Sequence, residues 1–134
     1  MMRPRWAGRM LRARYFPDFK GGPKLLFWGN ADGMRYLVAV LESFPPTGGE
    51  HVMSGLMNNA PKLVLRSAAE SRGMQKQDHL FEWILEPKTV ADFRDKVQVL
   101  TTANLPGHQY LECNTADEIT VMVSCDEYPS ALKP

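Results

Sequence analysis

The sequence predicts an α+β fold: an antiparallel sheet with two amphipathic helices packed on one side, built from two β-α-β-β units in a pseudo-twofold relation. Three observations carry this expectation. Residues 25–68 and 81–125 run through the same succession of patterns, which is the mark of an internal repeat. The apolar residues Met34, Leu37, Leu41 and Phe44 fall at steps of 3, 4 and 3, and Val90, Phe93, Val97 and Leu100 repeat those steps. That spacing lines one face of a helix. Finally, 134 residues with 44% hydrophobic content suffice for one sizeable core. The expected organisation is a basic tail over residues 1–14 and one domain over 15–134, with units at about 24–68 and 79–125.

The first fourteen residues hold Arg3, Arg5, Arg9, Arg12 and Arg14 and no acid. Of the 16 Lys and Arg in the chain, 11 remain after these five, against 15 Asp and Glu, so the rest is mildly acidic. An Arg-rich start with Trp6, Met10 and Leu11 interleaved reads as an organelle-targeting segment, a nucleic-acid arm or a membrane-surface helix. A loosely ordered tail, or an extension upstream of a true start at Met10, accounts for the same residues. Residues 16–23 carry the punctuation of a lead-in loop. The apolar run Leu25 to Trp28 is the first strand. Asn30 follows as a helix N-cap, and Asp32 complements the dipole in the opening turn. Gly33 is the unusual residue there, because a glycine lets an anionic ligand approach the free N–H groups of a helix start. Asn30, Asp32 and Gly33 are therefore candidate binding residues, although no glycine-rich phosphate signature is present.

Pro45 to Gly49 break the first helix, and a short strand begins at His51. A loop over Gly55 to Pro61 leads to the strand Leu63 to Ser67. Residues 68–78 read as a polar connector, in which Gly73 argues against a long helix. The second unit opens on the strand Leu80 to Leu85. Pro87 and Thr89 then start its helix, with Thr89 as the cap. Asn104 to Gly107 break that helix, a strand starts at His108, and another spans Thr120 to Ser124. The residues from Asp126 onward have lost the strand pattern and are expected to lie on the surface as a tail.

No run approaches 18 apolar residues, so a membrane span is not expected. The net acidic body also argues against nucleic-acid binding. Cys113 and Cys125 match no zinc spacing. A disulfide between neighbouring strands and a pair of reduced thiols are both open, and the reduced pair suits a cytoplasmic protein.

Candidate chemistry centres on two histidines at equivalent places in the units. If the units pair, His51 and His108 approach one axis, and with Glu50 or Glu112 as third ligand they would suit a divalent metal. His108, Tyr110 and Glu112 alternate onto one strand face, which is either a site or a solvated surface. His79 reads as a surface residue. Ser54, Ser67 and Ser124 sit in no nucleophile elbow, and Cys113 has no family signature. The sequence thus offers no catalytic set. Trp28, Phe81 and Trp83 read as core residues before they read as a stacking platform.

The stretch Gly29-Asn30-Ala31-Asp32-Gly33-Met34-Arg35-Tyr36-Leu37 through Phe44, with Gly49-Glu50-His51-Val52 and Leu63-Val64-Leu65, resembles small bacterial β-α-β-β domains among the immunity proteins of polymorphic toxin systems. Those domains carry an Asn or acidic residue and a Gly before the helix, and a Gly-Asp-His-like start to the next strand. The second unit departs from the pattern, with Glu86-Pro87-Lys88 in place of the Gly-Asn turn. The resemblance implies a non-catalytic partner-binding protein and carries over no active-site residue. Two functions follow as expectations. The first is a binding or immunity-like domain acting on a protein partner, or on a second copy, through an exposed sheet edge or the seam between units. The second is a metal-dependent enzyme or sensor built on His51 and His108.

Overall fold

The computed structural model describes residues 10–18, 21–44, 48–53, 55–57, 62–102 and 106–127. Arg3, Arg5, Trp6 and Arg9 of the expected tail lie outside these residues. So do Pro45, Pro46, Ser54, residues 58–61, Asn104, Leu105 and the chain beyond Glu127.

Ten elements are formed: β1 (Leu11–Phe16), β2 (Lys24–Gly29), α1 (Ala31–Glu42), β3 (Glu50–Val52), β4 (Lys62–Ser67), β5 (Gly73–Gln77), β6 (Leu80–Leu85), α2 (Pro87–Thr102), β7 (Gly107–Leu111) and β8 (Thr120–Cys125). The class is α+β as expected. The single antiparallel sheet is not what forms. There are two four-stranded mixed sheets, sheet A in the order β1-β2-β8-β7 and sheet B in the order β3-β4-β6-β5. Each has a central parallel pair, β2 with β8 and β4 with β6, flanked by antiparallel neighbours. The chain passes from sheet A to sheet B through α1 and returns through α2.

The difference comes from two strands that lie where a tail and a connector were expected. β1 spans Leu11–Phe16, so residues 11–14 belong to the sheet. Leu11 and Ala13 are buried while Arg12 and Arg14 are exposed, the two-residue alternation of a strand with one wet face. β5 takes up part of residues 68–78. It is tied to β6 by a two-residue turn, Asp78-His79, with Asp78 at a φ of 45°. A positive φ in a hairpin turn matches the twist of the strands, and Asp is among the residues that tolerate it. With β1 and β5 in place, the order strand, strand, helix, strand, strand occurs twice. Sheet B read from β5 to β3 then repeats sheet A with every strand advanced by four places in the cycle.

The helices bury the stripes the spacing predicts, except that Phe44 lies past the end of α1, half-buried against the core. α2 buries Val90, Phe93, Val97 and Leu100, and α1 buries Met34, Leu37 and Leu41 with Val38 and Val40 beside them. The two helices pack on each other and on the inner faces of the sheets. Phe27 of β2 stacks on Trp83 of β6 with centroids 5.7 Å apart, and Trp83 stacks on Phe93 of α2 at 5.8 Å. This aromatic column joins both sheets to a helix, so Trp83 and Phe81 are core and form no exposed platform. The sheets also meet along two seams. Ala13 N–H of β1 donates to the Leu56 carbonyl at 2.9 Å, and Ile119 N–H donates to the Met74 carbonyl of β5 at 2.9 Å.

Helix starts follow one plan in both halves. Asn30 Oδ1 accepts from Gly33 N–H at 2.8 Å and from Met10 N–H at 3.0 Å. At α2 the capping position is Glu86, whose carbonyl accepts from Val90 and whose carboxylate accepts from Ser71 N–H at 3.3 Å. Thr89, the expected cap, instead accepts the Ser71 hydroxyl at 2.8 Å. Proline at the first helical position costs nothing, because its missing N–H has no partner there in any case.

Candidate functional site

The outer face of sheet A, away from the helices, is the most chemically distinctive surface among the described residues. Strand register arranges it in rows. Arg12, Trp28, Ser124 and His108 align across the four strands, and Arg14, Leu26, Met122 and Tyr110 form the next row. Phe16, Lys24 and Thr120 form a third. Leu26, Trp28 and Met122 make a buried apolar strip, against which Met10 and Phe16 pack. Arg14 lies over the Phe16 ring at 5.7 Å and Lys24 over the Tyr110 ring at 5.4 Å. Trp28 is only 6% exposed, yet among the described residues its Nε1 has no hydrogen-bond partner. A buried indole N–H usually finds an acceptor.

At the β7 end of this face, Glu127 joins two strands. The Ser124 hydroxyl donates to Glu127 Oε1, and His108 Nδ1 lies 3.0 Å from Oε2. Burial pushes the Glu127 carboxyl up. The Ser124 and His108 hydrogen bonds and the His108 charge outweigh it and hold the carboxyl below its ordinary value. Serine, glutamate and histidine in contact suggest a hydrolytic triad, but the order is wrong. Catalysis needs the imidazole against the hydroxyl, with the acid behind it. Here the carboxylate sits between them and Ser124 is fully buried, so the set ties β8 to β7 and activates nothing.

The expected metal residues are not gathered. His51 is on β3 in sheet B and His108 on β7 in sheet A, where it engages Glu127. Glu112 follows β7 and lines a cleft of about 620 Å³ against the start of α2, with Glu70, Glu86, Lys88 and Asp92. Among the described residues no group of three or more His, Cys, Asp or Glu is placed to hold a metal ion. The candidate anion site at α1 is taken up internally. Asn30 caps the helix, Asp32 pairs with Arg35, and Gly33 is buried. A Cβ at Gly33 would collide with the Met10 carbonyl oxygen, so close approach of the chain's own backbone accounts for this glycine.

Both cysteines are free thiols. Burial and the neighbouring Glu118 carboxylate push Cys113 up to about 12, and burial with Asp126 pushes Cys125 up to about 11. Thiols so raised are poor nucleophiles at neutral pH. The Glu118 carboxylate accepts from the N–H groups of Cys113, Asn114 and Thr115 at 2.7, 2.7 and 3.3 Å, and so fixes the turn between β7 and β8.

The four sheet edges differ in how they are guarded. β1 and β5 are met by the seams through Leu56 and Ile119. β3 is three residues long, and its Glu50 pairs with Arg66 at 2.9 Å. β7, Gly-His-Gln-Tyr-Leu, has five residues, no Lys, Glu, Asp or Pro, and no described strand on its outer side. Tyr110 is 43% exposed there. No helix among the described residues is long and apolar enough to cross a membrane. No family model matches this chain, and neither curated proteins nor solved structures gave a match.

Proposed function

We propose that this chain is a non-catalytic protein-binding module whose partner adds an extended segment to the open edge of β7. The observation that carries the reading is the contrast among the four edges. An exposed strand offers unpaired N–H and C=O groups to another chain, and proteins suppress this with charge, proline, shortness or cover. β3 is short and charged, β1 and β5 each share a backbone hydrogen bond with a segment outside their sheet edge, and among the described residues β7 has none of these guards. Strand addition supplies main-chain hydrogen bonds and leaves specificity to the flanking side chains, here His108 and Tyr110. The wrong order of the Ser124, Glu127 and His108 set and the raised thiols favour binding over catalysis.

The likeness of Gly29 to Leu65 to immunity domains extends the proposal to an immunity-like role with a toxin as partner. Two reduced thiols suit a cytoplasmic setting. The repeated element order and the matching helix starts favour descent from a duplicated unit.

The test compares the native chain with Tyr110→Lys and His108→Lys, each of which places a lysine on an exposed edge position. A protein retained from extract of the source cell by the native chain should be lost by at least about tenfold with Tyr110→Lys, the effect of a charged guard. Its binding should slow amide exchange along Gly107–Leu111. Retention by both variants, or protection confined to another element, rules the β7 edge out.

A further inference from the structure

Hydrogen bonding fixes which backbone groups of β7 face outward. Thr120 N–H donates to the Pro23 carbonyl and Asp126 N–H to the Gly29 carbonyl, so the even-numbered residues of β8 turn their backbone groups toward β2. The odd-numbered ones, Val121, Val123 and Cys125, turn theirs toward β7 and meet Leu111, Gln109 and Gly107. His108 and Tyr110 therefore direct N–H and C=O away from the sheet, and among the described residues no strand pairs with them there. Just past Leu111, Glu112 and Cys113 line the cleft of about 620 Å³, together with Glu70, Glu86, Lys88, Asp92 and Asp95. Asp95 pairs with Arg94 at 2.8 Å and Asp92 with Lys96 at 3.9 Å, while Glu86 accepts from Ser71 N–H. Glu70 and Glu112 are exposed, and among the described residues neither has a cationic partner. Lys88 is then the one lining cation left to balance Glu70, Glu86 and Glu112, so the cleft is net acidic.

The geometry points to a basic, extended segment of a protein partner, laid along the outer edge of β7 with Lys or Arg side chains over the cleft at its C-terminal end. The proposal rests on the edge reading above and adds the charge of the partner and the place where it is read. Two residues of the segment would pair with His108 and Tyr110 through main-chain hydrogen bonds. Both need a free N–H, so neither is proline. A chain continuing past Tyr110 runs beside Glu112, where an ammonium or guanidinium would answer the unpaired carboxylates. An acidic segment would meet Glu112 and Glu70 as like charges. A metal ion fits less well, because among the described residues no three acids are close enough to share one. Long basic side chains can reach carboxylates that stand apart.

The test uses fluorescence anisotropy of the full chain with three labelled probes: a short peptide alternating Lys and Val, its Glu-Val counterpart, and a Lys-Pro peptide that keeps the charge but cannot continue a strand. The Lys-Val peptide should bind, and added salt should weaken it. The other two should bind at least about tenfold more weakly, one through like-charge contact and one through lost ladder hydrogen bonds. Glu70→Lys with Glu112→Lys should weaken the Lys-Val peptide by about tenfold. Glu112→Gln should weaken it by about threefold without reversing any charge, which guards against misfolding of the double variant. Glu50→Lys on β3 should leave the affinity within about twofold, since it lines neither the edge nor the cleft. In amide exchange, Gln109 and Leu111 should be slow in the free chain, and the peptide should slow His108 and Tyr110 above all. Equal or tighter binding of the Glu-Val or Lys-Pro peptide overturns the proposal, as do an affinity unchanged by the glutamate variants and slowing confined to other residues. Self-association of the free chain that slows the same two amides would assign the edge to a second copy and overturn it too. If Tyr110→Lys loses the natural partner while the Lys-Val peptide never binds, the edge reading stands and the basic-segment reading falls.

Discussion

Replacing Trp83 tests whether the aromatic column is what joins the sheets. Its side chain is fully buried, stacked between Phe27 and Phe93 at 5.7 and 5.8 Å, and among the described residues its Nε1 has no hydrogen-bond partner. Trp83→Ala empties the centre of the core. Large aromatic to alanine changes at such sites cost about 3–5 kcal/mol, and the two ring pairs are worth about 0.5–1.5 kcal/mol each within that loss. Trp83→Phe acts differently. It keeps a ring in the column and removes the orphan N–H, whose burial costs about 1–3 kcal/mol. That relief offsets much of the volume lost, so the net change should stay within about 1 kcal/mol. With a urea dependence of about 2 kcal/mol/M, Trp83→Ala should lower the unfolding midpoint by about 2 M and Trp83→Phe by less than about 0.5 M. Far-UV circular dichroism is the readout, because the mutation itself alters indole fluorescence. Two results would refute the reasoning: equal losses for both variants, or a shift below about 0.5 M for Trp83→Ala.

Gly33→Ala offers a case where helix propensity and packing disagree. Alanine favours the helix by about 1 kcal/mol, but its Cβ would overlap the Met10 carbonyl and press on the Leu11 Cβ at 3.2 Å. Backbone gives way less readily than a side-chain tip, so the variant should lose about 1–3 kcal/mol by the same denaturation assay; a more stable variant would contradict the close approach. Glu127→Gln should alter the acid side of the stability profile. The carboxyl is held low in the folded state, so its contribution is present above its unfolded value, ordinarily near 4.5, and fades as pH falls through the lower folded value. Thermal melts from neutral pH down to about pH 3 should therefore show a shallower acid decline in the variant than in the native chain; parallel curves would mean that the Ser124 and His108 contacts do not hold the carboxylate.

The helices and the inner strands were legible because each carries its own period. Val90, Phe93, Val97 and Leu100 announce a helix face whatever lies opposite, and Leu25 to Trp28 or Val121 to Val123 announce a buried strand. β1 was obscured by its arginines, although Leu11-Arg12-Ala13-Arg14 alternates as a half-buried strand must. β5 places one large apolar side chain inward, Met74, and owes its existence to pairing with β6. Sheet composition was beyond local reading, since β2 selects β8 from the far end of the chain. The same holds for the outer face of sheet A. His108 reaches Glu127 only because the β7–β8 register sets it opposite Ser124, and Arg12 meets Trp28 only once β1 exists. The metal expectation failed for a related reason. Equivalent places in two units do not become neighbours when the units exchange strands, and His51 and His108 end on different sheets.

That exchange of strands sets the order of events during synthesis. The β1–β2 hairpin can close as soon as it leaves the ribosome, and so can β5–β6, because both pairings are local. The parallel pairing of Lys24–Gly29 with Thr120–Cys125 cannot begin until Cys125 has emerged, about a hundred residues after β2. Until then β2 has one unsatisfied flank, with Leu25 and Phe27 still short of their final cover. Non-local pairings of this kind are closed late and slowly. The nascent chain therefore passes through a long interval in which an apolar strand is open to the wrong neighbour, and emergence of β8 is the event that ends it.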